Sequence, residues 1–282
     1  MRKIRYARLP TERPHPASRR LDRMSPLAIA RLMNRADMAA VRAVGRGAAP
    51  LARAVELTAT ALARGGRLVF VGAGTSGRLG VLEAAECPPT FGTPPRLVQA
   101  VMAGGRSSVF RAREGAEDDA ADGARQVRRR ARRGDVVVGV AASGVTPFVR
   151  GALAEARRRG AATVLVTCNP TVPRSVARVV VALAVGPEIL AGSTRLKAGT
   201  ATKLILNIFT TLAMVRMGKV LGNLMVDVKA SNTKLRDRSV RILRALTGAN
   251  ESDALNALER SKWVIKEAVR RLKSAPKKRR EL

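Results

Sequence analysis

Aromatic residues are scarce in this chain of 282 residues, which contains five Phe, one Tyr and one Trp. Proteins that bind single-stranded nucleic acid stack the bases on aromatic side chains, so this scarcity argues against that class. Hydrophobic residues still make up 46% of the chain. We therefore expect a core built from Ala, Val, Leu and Ile rather than from aromatic rings.

Cysteine, histidine and long apolar runs are also rare. Cys87 and Cys168 are too few for a disulfide framework, and the one histidine, His15, lies in a polar segment where a surface position is expected. No Cys or His cluster has the spacing of a metal site. We expect no apolar stretch long enough to span a bilayer, and no apolar segment follows the basic N-terminus as in a secretion signal. These absences predict a cytoplasmic protein without a bound metal.

Acidic residues number 21 against 53 Lys and Arg, which gives a net charge of +32. Such an excess predicts attraction to anions, including anionic substrates. The basic runs at residues 128–133, 157–159 and 277–280 are not interleaved with aromatic residues and are typical of solvated helix faces. Nucleic-acid binding is therefore expected to be nonspecific at most.

Five short apolar runs alternate with helical patterns in the middle of the chain. This alternation predicts an α/β fold, in which helices cover both faces of a parallel five-stranded sheet. The predicted strands are Leu68–Val71, Leu97–Met102, Val136–Ala141, Thr163–Thr167 and Val179–Val185. The predicted intervening helices are Ser76–Glu86, Asp118–Arg132 and Pro147–Arg159.

Helical segments flank this region on both sides. Residues 1–24 form a polar leader that we expect to be loosely ordered, and Ser25-Pro26 has the residue types that begin a helix. We divide the chain into this leader, a main domain over residues 25–230 that includes an N-terminal helical layer, and a small helical tail over residues 231–282. The last residues, SAPKKRREL, are expected to fray.

Small residues and hydroxyls follow the first, third and fifth predicted strands. The carboxyl ends of parallel strands meet at one edge of the sheet, where glycines allow close backbone approach and helix N-termini offer free N–H groups to an anion. One such turn is common in any fold, whereas three on one edge favour a phosphate or sugar ligand. The three segments are Gly72–Gly77, Ala142–Thr146 and Gly192–Lys197.

The spacing Gly72-x-Gly74-x-x-Gly77 also occurs in dinucleotide-binding turns. That motif needs an acidic residue near the end of the second strand, and here the strand ends in VMAGG. A P-loop is excluded because Gly77 is followed by Arg78 and no Gly-Lys-Ser/Thr occurs. The loop is therefore predicted to bind a phosphorylated small molecule.

Carboxylates are the remaining candidates for acid–base chemistry. Glu83 and Glu86 lie on the helix predicted after the first loop, and Glu117, Asp118 and Asp119 lie in the segment EGAEDD. Glu86 stands before Cys-Pro-Pro at the expected end of its helix. The pattern alone leaves open whether Glu86 is catalytic or pairs with an Arg at the helix end.

Several segments resemble the N-acetylmuramic acid 6-phosphate etherase family, over roughly residues 10–245. They are VGAGTSGRLGVLEAAECPPTFGTPP, EGAEDD, VVGVAASGVTPFV, VGPEILAGSTRLKAGTATKLILN, GKVLGNLMVDVKASNTKLRDR and, in the leader, TERPHPASRRLDRMSPLAIARLMN. The resemblance implies a sugar isomerase (SIS) domain, a flavodoxin-like three-layer α/β/α sandwich that commonly forms homodimers. It also implies a lyase of peptidoglycan amino-sugar recycling, which splits the lactyl ether of N-acetylmuramic acid 6-phosphate into N-acetylglucosamine 6-phosphate and D-lactate.

The implied mechanism uses two carboxylates and no cofactor or metal. A base removes the proton on carbon 2 of the open-chain sugar, lactate leaves carbon 3 with help from an acid, and water then adds. The resemblance implies that Glu86 is the proton donor and that Glu117 is the second catalytic residue, taken here as the base. The implied phosphate and sugar ligands are Gly74, Thr75, Ser76, Ser143, Gly144, Thr146, Ser193, Thr194 and Lys197.

The sequence departs from the family at two places. Val145 stands where the family typically has Arg, and the chain after Thr247 is shorter, more basic and poorly matched. Two other functions stay open: a sugar-phosphate-binding regulator without catalysis, like glucokinase regulatory protein, and an aldose–ketose isomerase on the same fold. Retention of Glu86 and Glu117 favours the etherase over the regulator, and the long segment ECPPTFGTPP favours it over the isomerase.

Overall fold

The computed structural model describes residue 7 and residues 9–274, and the chain divides into two compact units. The first unit consists of the chain up to Ala85 together with Pro95–Ala213. The second consists of Glu86–Pro94 and the chain from Met214 onward. The sequence-based division at residues 25 and 231 stays a prediction.

The described part of the leader is ordered, contrary to the expectation of a loose segment. It forms three short 3-10 turns at Pro10–Glu12, Pro16–Ser18 and Leu21–Arg23. Leu9 and Thr11 are 8% and 0% exposed, so burial of these two side chains anchors the segment.

Two helices form the predicted N-terminal layer. Helix α1 (Pro26–Arg46) begins where the sequence predicts, because the Ser25 hydroxyl accepts the N–H of Ala28 at 3.3 Å. Helix α2 (Ala48–Ala63) follows directly after Gly47.

The central sheet has five parallel strands in the order β2-β1-β3-β4-β5, which confirms the predicted flavodoxin-like α/β fold. The strands consist mainly of Val, Leu and Ala, and β1 and β3 are buried along their whole length, as expected for a sheet covered on both faces. The strands are β1 (Leu68–Gly72), β2 (Val98–Met102), β3 (Val136–Val140), β4 (Ala162–Thr167) and β5 (Val179–Ala182).

Helices pack on both faces of this sheet. On one face, Val69 belongs to the same buried cluster as Val127 and Phe148. On the other face, the rings of Phe70 and Phe209 meet edge to face with their centroids 6.3 Å apart. The helices that follow the strands are α3 (Gly74–Phe91), α4 (Ala120–Arg130), α5 (Pro147–Arg158) and α6 (Lys197–Arg216).

Helix α3 continues beyond Glu86, so the predicted end of this helix is wrong. It includes Pro88 and Pro89, which have no N–H, so the helix lacks the hydrogen bonds that these two positions would donate. The chain leaves the helix at Gly92, where φ is 62°, a backbone conformation that glycine adopts at helix ends.

Among the described residues, α6 is one helix that is long and apolar enough to cross a membrane by length and composition, with a mean hydropathy of 1.3. This corrects the expectation that no segment of the chain reaches that length. The apolar residues of α6 serve the core of the first unit, however. Ala198, Ile205, Leu206 and Phe209 are each 0% exposed.

The second unit contains a small hairpin and helices with their own hydrophobic core. Leu243, Leu258 and Ile265 are each 0% exposed and belong to one cluster. Asp227 accepts ion pairs from Lys219 at 2.7 Å and Lys266 at 2.8 Å. The elements are β6 (Val220–Leu221), β7 (Leu224–Met225), α7 (Thr233–Thr247), α8 (Glu251–Arg260) and α9 (Ile265–Ser274).

These helices confirm the predicted helical tail. Its last residues, expected to fray, lie outside the described part of the chain except for Ser274, which ends α9.

Candidate functional site

The site lies where the strand order reverses. Strands β1 and β3 are neighbours, and the chain continues from them toward opposite edges of the sheet, which opens a crevice at their carboxyl ends. A cleft of about 370 Å³ occupies this position. Seven of the predicted site residues line it, namely Gly74, Thr75, Ser76, Glu117, Ser143, Thr146 and Thr194.

The loop after β1 is shaped by close packing of strand and helix. A Cβ on Gly77 would lie 2.3 Å from Met102 Sδ and 2.7 Å from Gly72 O, so no larger residue fits there. Helix α3 therefore begins immediately after the strand, and its first N–H groups have no partner within the helix. Thr75 and Ser76 stand at this N-terminus with half-buried side chains that line the cleft.

The loop after β3 brings a second helix N-terminus to the cleft. The Ser143 hydroxyl accepts the N–H of Val145 at 3.2 Å and lies 3.5 Å from the Thr146 hydroxyl. Thr146 precedes Pro147, the first residue of α5, and its side chain does not cap the helix. Both hydroxyls are therefore available to a ligand beside the start of α5. Val145 also lines the cleft, where it offers no charge to a ligand.

Three leader residues, Leu9, Thr11 and Glu12, line this cleft, although the sequence alone predicts no role for them. The N–H of Gly192 donates to the carbonyl of Thr11 at 3.0 Å, which holds the leader beside the segment before α6. Thr11 and Glu12 thereby line the cleft. Neither periodicity nor composition marks these residues, and the family-like segment TERPHP was the one available signal.

Glu117 supplies a carboxylate at the same place. It lies in a 3-10 turn (Ala116–Asp118) before α4 and lines the cleft together with Asp118. Glu117 is an exposed residue, but partial desolvation of its carboxyl group at the cleft, followed by the nearby carboxylates of Asp118 and Glu114, raises its pKa above the ordinary value. A carboxyl group with a raised pKa is a stronger base once it is deprotonated, which suits proton transfer near neutral pH.

The structure does not bring Gly144, Ser193 or Lys197 to the lining of the cleft. Gly144 is buried in the turn after β3 with a φ of 71°. Ser193 is half-buried in a tight turn, where its N–H donates to the carbonyl of Leu190. Their binding roles stay predictions.

Lys197 points into the protein rather than toward the cleft. Its side chain is buried, and Nζ donates to the carbonyl of Pro187 at 2.7 Å. The fully buried carboxylate of Glu188 accepts the N–H groups of Lys197 at 3.1 Å and Ala198 at 2.7 Å. Burial raises the pKa of Glu188 and lowers the pKa of Lys197. The N-terminus of α6 is thus satisfied by the protein itself, which could not be seen from the spacing of Gly, Ser and Thr.

The two glutamates of α3 have different environments. Glu83 is buried, and its carboxylate accepts Asn207 Nδ2 at 2.6 Å and Thr210 Oγ1 at 2.8 Å from α6. Its role is therefore to connect two helices of the first unit. Glu86 is exposed and belongs to the second unit.

His15 is not among the residues that line the cleft. His15 is half-buried and accepts the N–H of Ala17 at Nδ1. Burial, followed by the charge of Lys197, lowers its pKa. Among residues 9–274, no group of three or more His, Cys, Asp and Glu side chains is placed to hold a metal ion.

Comparison with family models identifies both parts of the chain. Residues 50–157 match the glucokinase regulatory protein N-terminal SIS domain. Residues 222–280 match the C-terminal lid domain of glucokinase regulatory protein. The second match corrects the estimate that family resemblance fades after Thr247. The apolar residues of this segment form the core of the second unit.

A solved structure of a protein from Escherichia coli CFT073 has the same fold. Its TM-score is 0.50 at 18% sequence identity, and the match covers 71% of this chain and 97% of that one. At this identity the likeness concerns the fold alone, and it agrees with a SIS domain.

Curated relatives are much more similar in sequence. A protein of Symbiobacterium thermophilum named N-acetylmuramic acid 6-phosphate etherase is 55% identical over 192 residues, which cover 68% of this chain and 64% of that protein. A protein of Nostoc sp. with the same name is 54% identical over 257 residues, which cover 90% of this chain and 84% of that protein. Identity at this level over nine-tenths of the chain shows that the protein belongs to the N-acetylmuramic acid 6-phosphate etherase family.

Proposed function

We propose that this protein cleaves the lactyl ether of N-acetylmuramic acid 6-phosphate, giving N-acetylglucosamine 6-phosphate and D-lactate. The observation that carries the proposal is the cleft at the β1–β3 crevice. There Glu117 stands with hydroxyls from two helix N-termini, in a chain with more than half of its aligned residues identical to named etherases. The arrangement offers an anion site and an acid–base group to one small ligand.

The phosphate is bound at the N-termini of α3 and α5. Thr75, Ser76, Ser143 and Thr146 donate hydroxyl hydrogen bonds, and unpaired backbone N–H groups of the first helical turns add further donors. Thr194 lines the same cleft and completes the set. No Lys or Arg is among the described residues that line this cleft, so the helix ends and hydroxyls replace a cationic side chain.

The reaction proceeds through the open-chain aldehyde, because its carbonyl acidifies the proton on carbon 2. Glu117 removes this proton, and the bond between carbon 3 and the ether oxygen breaks as lactate leaves with a proton from an acid. Water then adds across the new double bond, with hydroxyl on carbon 3 and hydrogen on carbon 2. One water is consumed in total, and no electrons are exchanged with a cofactor.

The two glutamates are assigned on different grounds. Glu117 is exposed like Glu86, but it is supported as the base by its place in the cleft and by the raised pKa that partial desolvation and the neighbouring carboxylates produce. Glu86 is assigned as the proton donor by its place in the family-like segment AAECPP, without further support from its exposed position. A binding role for Gly144, Ser193 and Lys197 likewise rests on family resemblance.

The cellular setting follows from the substrate. N-acetylmuramic acid occurs in peptidoglycan, so the proposed enzyme acts in amino-sugar recycling. A cytoplasmic location and a homodimer are proposed from the family resemblance alone. The net charge of +32 favours anionic ligands in general, and binding to nucleic acid is nonspecific at most.

The test is to incubate the purified protein with N-acetylmuramic acid 6-phosphate and to measure both products. We expect D-lactate and N-acetylglucosamine 6-phosphate to appear in equal amounts. The same sugar without its phosphate should react far more slowly, because it lacks the group that the helix N-termini bind.

A sugar-phosphate-binding regulator is the second candidate function, because both matching family models are named for domains of glucokinase regulatory protein. A regulator would bind the sugar phosphate without releasing lactate. Saturable binding of N-acetylmuramic acid 6-phosphate, measured by calorimetry, with no lactate after prolonged incubation would replace the etherase proposal by this one.

A further inference from the structure

A second pocket of about 210 Å³ opens next to the cleft, in the first unit. We call it the side pocket. It lies between the start of α3, the segment after β2 and the turn that holds Glu117. Its lining residues include Arg78, Met102, Ser108, Arg113, Glu114 and Glu117.

The side pocket and the cleft share part of their walls. Ala73, Gly74 and Glu117 line both of them. A ligand that reaches Glu117 from the phosphate end of the cleft therefore has a second space on the other side of that carboxylate.

Ser108 marks the side pocket as polar inside. This residue is 3% exposed, and its hydroxyl has no hydrogen-bond partner among the described residues. A buried hydroxyl without a partner destabilises a protein unless something else binds it. Gly104 leaves room for this hydroxyl, because a Cβ at Gly104 would lie 2.3 Å from Ser108 Oγ and 3.0 Å from Arg113 Cδ.

Two guanidinium groups line the same pocket. Arg78 is held in place, since Nε donates to the carbonyl of Val109 at 2.7 Å and Nη2 to the carbonyl of Ser108 at 2.8 Å. Arg113 has one weak bond, from Nη1 to the carbonyl of Gly104 at 3.5 Å. Within the described residues, neither guanidinium forms an ion pair, so both keep N–H donors for a ligand.

The charges around the pocket favour one kind of ligand. Glu114 and Glu117 also line it, so two carboxylates balance the charge of the two arginines. These carboxylates repel a phosphate dianion more strongly than a carboxylate monoanion, and a single carboxylate needs only one guanidinium and one hydroxyl donor. The volume also suits a group of a few heavy atoms rather than a whole sugar.

We infer that the side pocket binds the carboxylate of the lactyl group, through Arg113 and the hydroxyl of Ser108, with Arg78 holding the Ser108 segment in place. The chemical class of the ligand is a 2-alkoxy carboxylate. The lactyl group is attached to carbon 3, next to the carbon from which Glu117 takes its proton, so it would extend past Glu117 into this pocket. The inference rests on the proposed function and assigns the residues that recognise the leaving group.

The test compares two substrates in one variant and its control. Arg113→Gln should lower kcat/KM for N-acetylmuramic acid 6-phosphate by about 10- to 100-fold, because a charge-assisted hydrogen bond is lost. For an analogue whose lactyl carboxylate is replaced by an uncharged carboxamide, the same substitution should lower kcat/KM by less than about threefold. Arg111→Gln removes the same charge two residues away and does not touch the pocket, so it should leave both values unchanged.

Ser108→Ala provides a second measurement. It removes a buried hydroxyl that lacks a partner, so the ligand-free protein should melt about 2 °C higher, while kcat/KM for the carboxylate substrate falls about 10-fold. If Ser108 had a purely structural role, Ser108→Ala would lower the melting temperature. It would also leave unchanged the ratio of kcat/KM between the carboxylate and carboxamide substrates.

The outcomes separate this inference from the proposed function. Suppose that the wild-type protein releases lactate, but that Arg113→Gln lowers kcat/KM by the same factor for both substrates and no more than Arg111→Gln does. The lactyl assignment is then wrong and the etherase proposal stands. If the wild-type protein releases no lactate, the etherase proposal itself is wrong. Affinity for N-acetylglucosamine 6-phosphate, which has no lactyl group, should be the same in Arg113→Gln and wild type, and a large loss there would also overturn the inference.

Discussion

Two helix N-termini near the carboxyl edge of the sheet resemble each other in sequence and differ in structure. The start of α5 follows Ser143 and Thr146, whose hydroxyls line the cleft, and no side chain caps that helix. The start of α6 follows Ser193 and Thr194, but the buried carboxylate of Glu188 accepts its first N–H groups. One N-terminus is open to an anionic ligand, and the other already has an internal anion. A Gly/Ser/Thr loop therefore predicts an anion site only where the protein supplies no carboxylate of its own.

We expect the largest effect, a loss of stability, from removing the Glu188 carboxylate at the start of α6. Glu188→Ala leaves two buried N–H groups without their acceptor, so the free energy of unfolding should fall by about 3 kcal/mol. Urea and thermal denaturation would measure the loss. Glu251→Ala, at an exposed position in the first turn of α8, should change stability by less than about 0.5 kcal/mol. Equal stability of the two variants would mean that Glu188 is not the cap of α6.

Changes in the catalytic carboxylates should act on turnover instead. Glu117→Gln and Glu86→Gln should each lower kcat about 100-fold or more while the melting temperature stays unchanged, because each removes proton transfer without removing a buried contact. Glu251→Gln is the matched control for loss of one exposed carboxylate. If Glu117→Gln kept wild-type turnover, Glu117 would not be the base. If Glu86→Gln kept wild-type turnover, Glu86 would not be the proton donor.

The hydroxyls of the open and the capped N-terminus should differ in substrate binding. Ser143→Ala should raise KM about 10-fold, which corresponds to one lost hydrogen bond to a charged ligand. Ser193→Ala should change KM by less than about twofold, because its side chain does not line the cleft. Steady-state kinetics of the two variants would decide, and equal effects would show that Ser193 contacts the phosphate as Ser143 does.

The smallest effect concerns the pH dependence of Glu117. The base works when it is deprotonated, so its raised pKa places the acid limb of kcat/KM above the pH at which an ordinary glutamate titrates. Asp118→Asn removes one of the negative charges that raise this pKa, so the acid limb should move to lower pH. A pH–rate profile in which Asp118→Asn and wild type coincide would show that another group controls the limb.

The fold of the first unit was predictable because the signals there are local. Apolar runs rich in Val and Leu define each strand, and polar amphipathic stretches define the helices between them. The end of helix α3 was not predictable from Pro88 and Pro89, because the helix includes both prolines and ends at Gly92, which has a left-handed conformation.

The site was predictable where residues follow strand ends and not where distant segments meet. Thr75 and Ser143 were found because parallel strands place their following loops on one edge. The cap of α6 by Glu188, the arrival of Glu12 from the leader and the burial of Ser108 all depend on contacts between loops. No periodicity encodes such contacts, so these residues required the structure.

The central claim is that Glu117 takes the proton from carbon 2, and an isotope effect tests it most directly. Lactate release would be measured from substrate with hydrogen or deuterium at carbon 2, in wild type and in Glu117→Asp, where the carboxylate is withdrawn by one methylene. We predict a larger deuterium isotope effect in Glu117→Asp, because proton abstraction becomes more nearly rate-limiting. A slowed Glu117→Asp enzyme with an isotope effect equal to or below that of wild type would contradict the account.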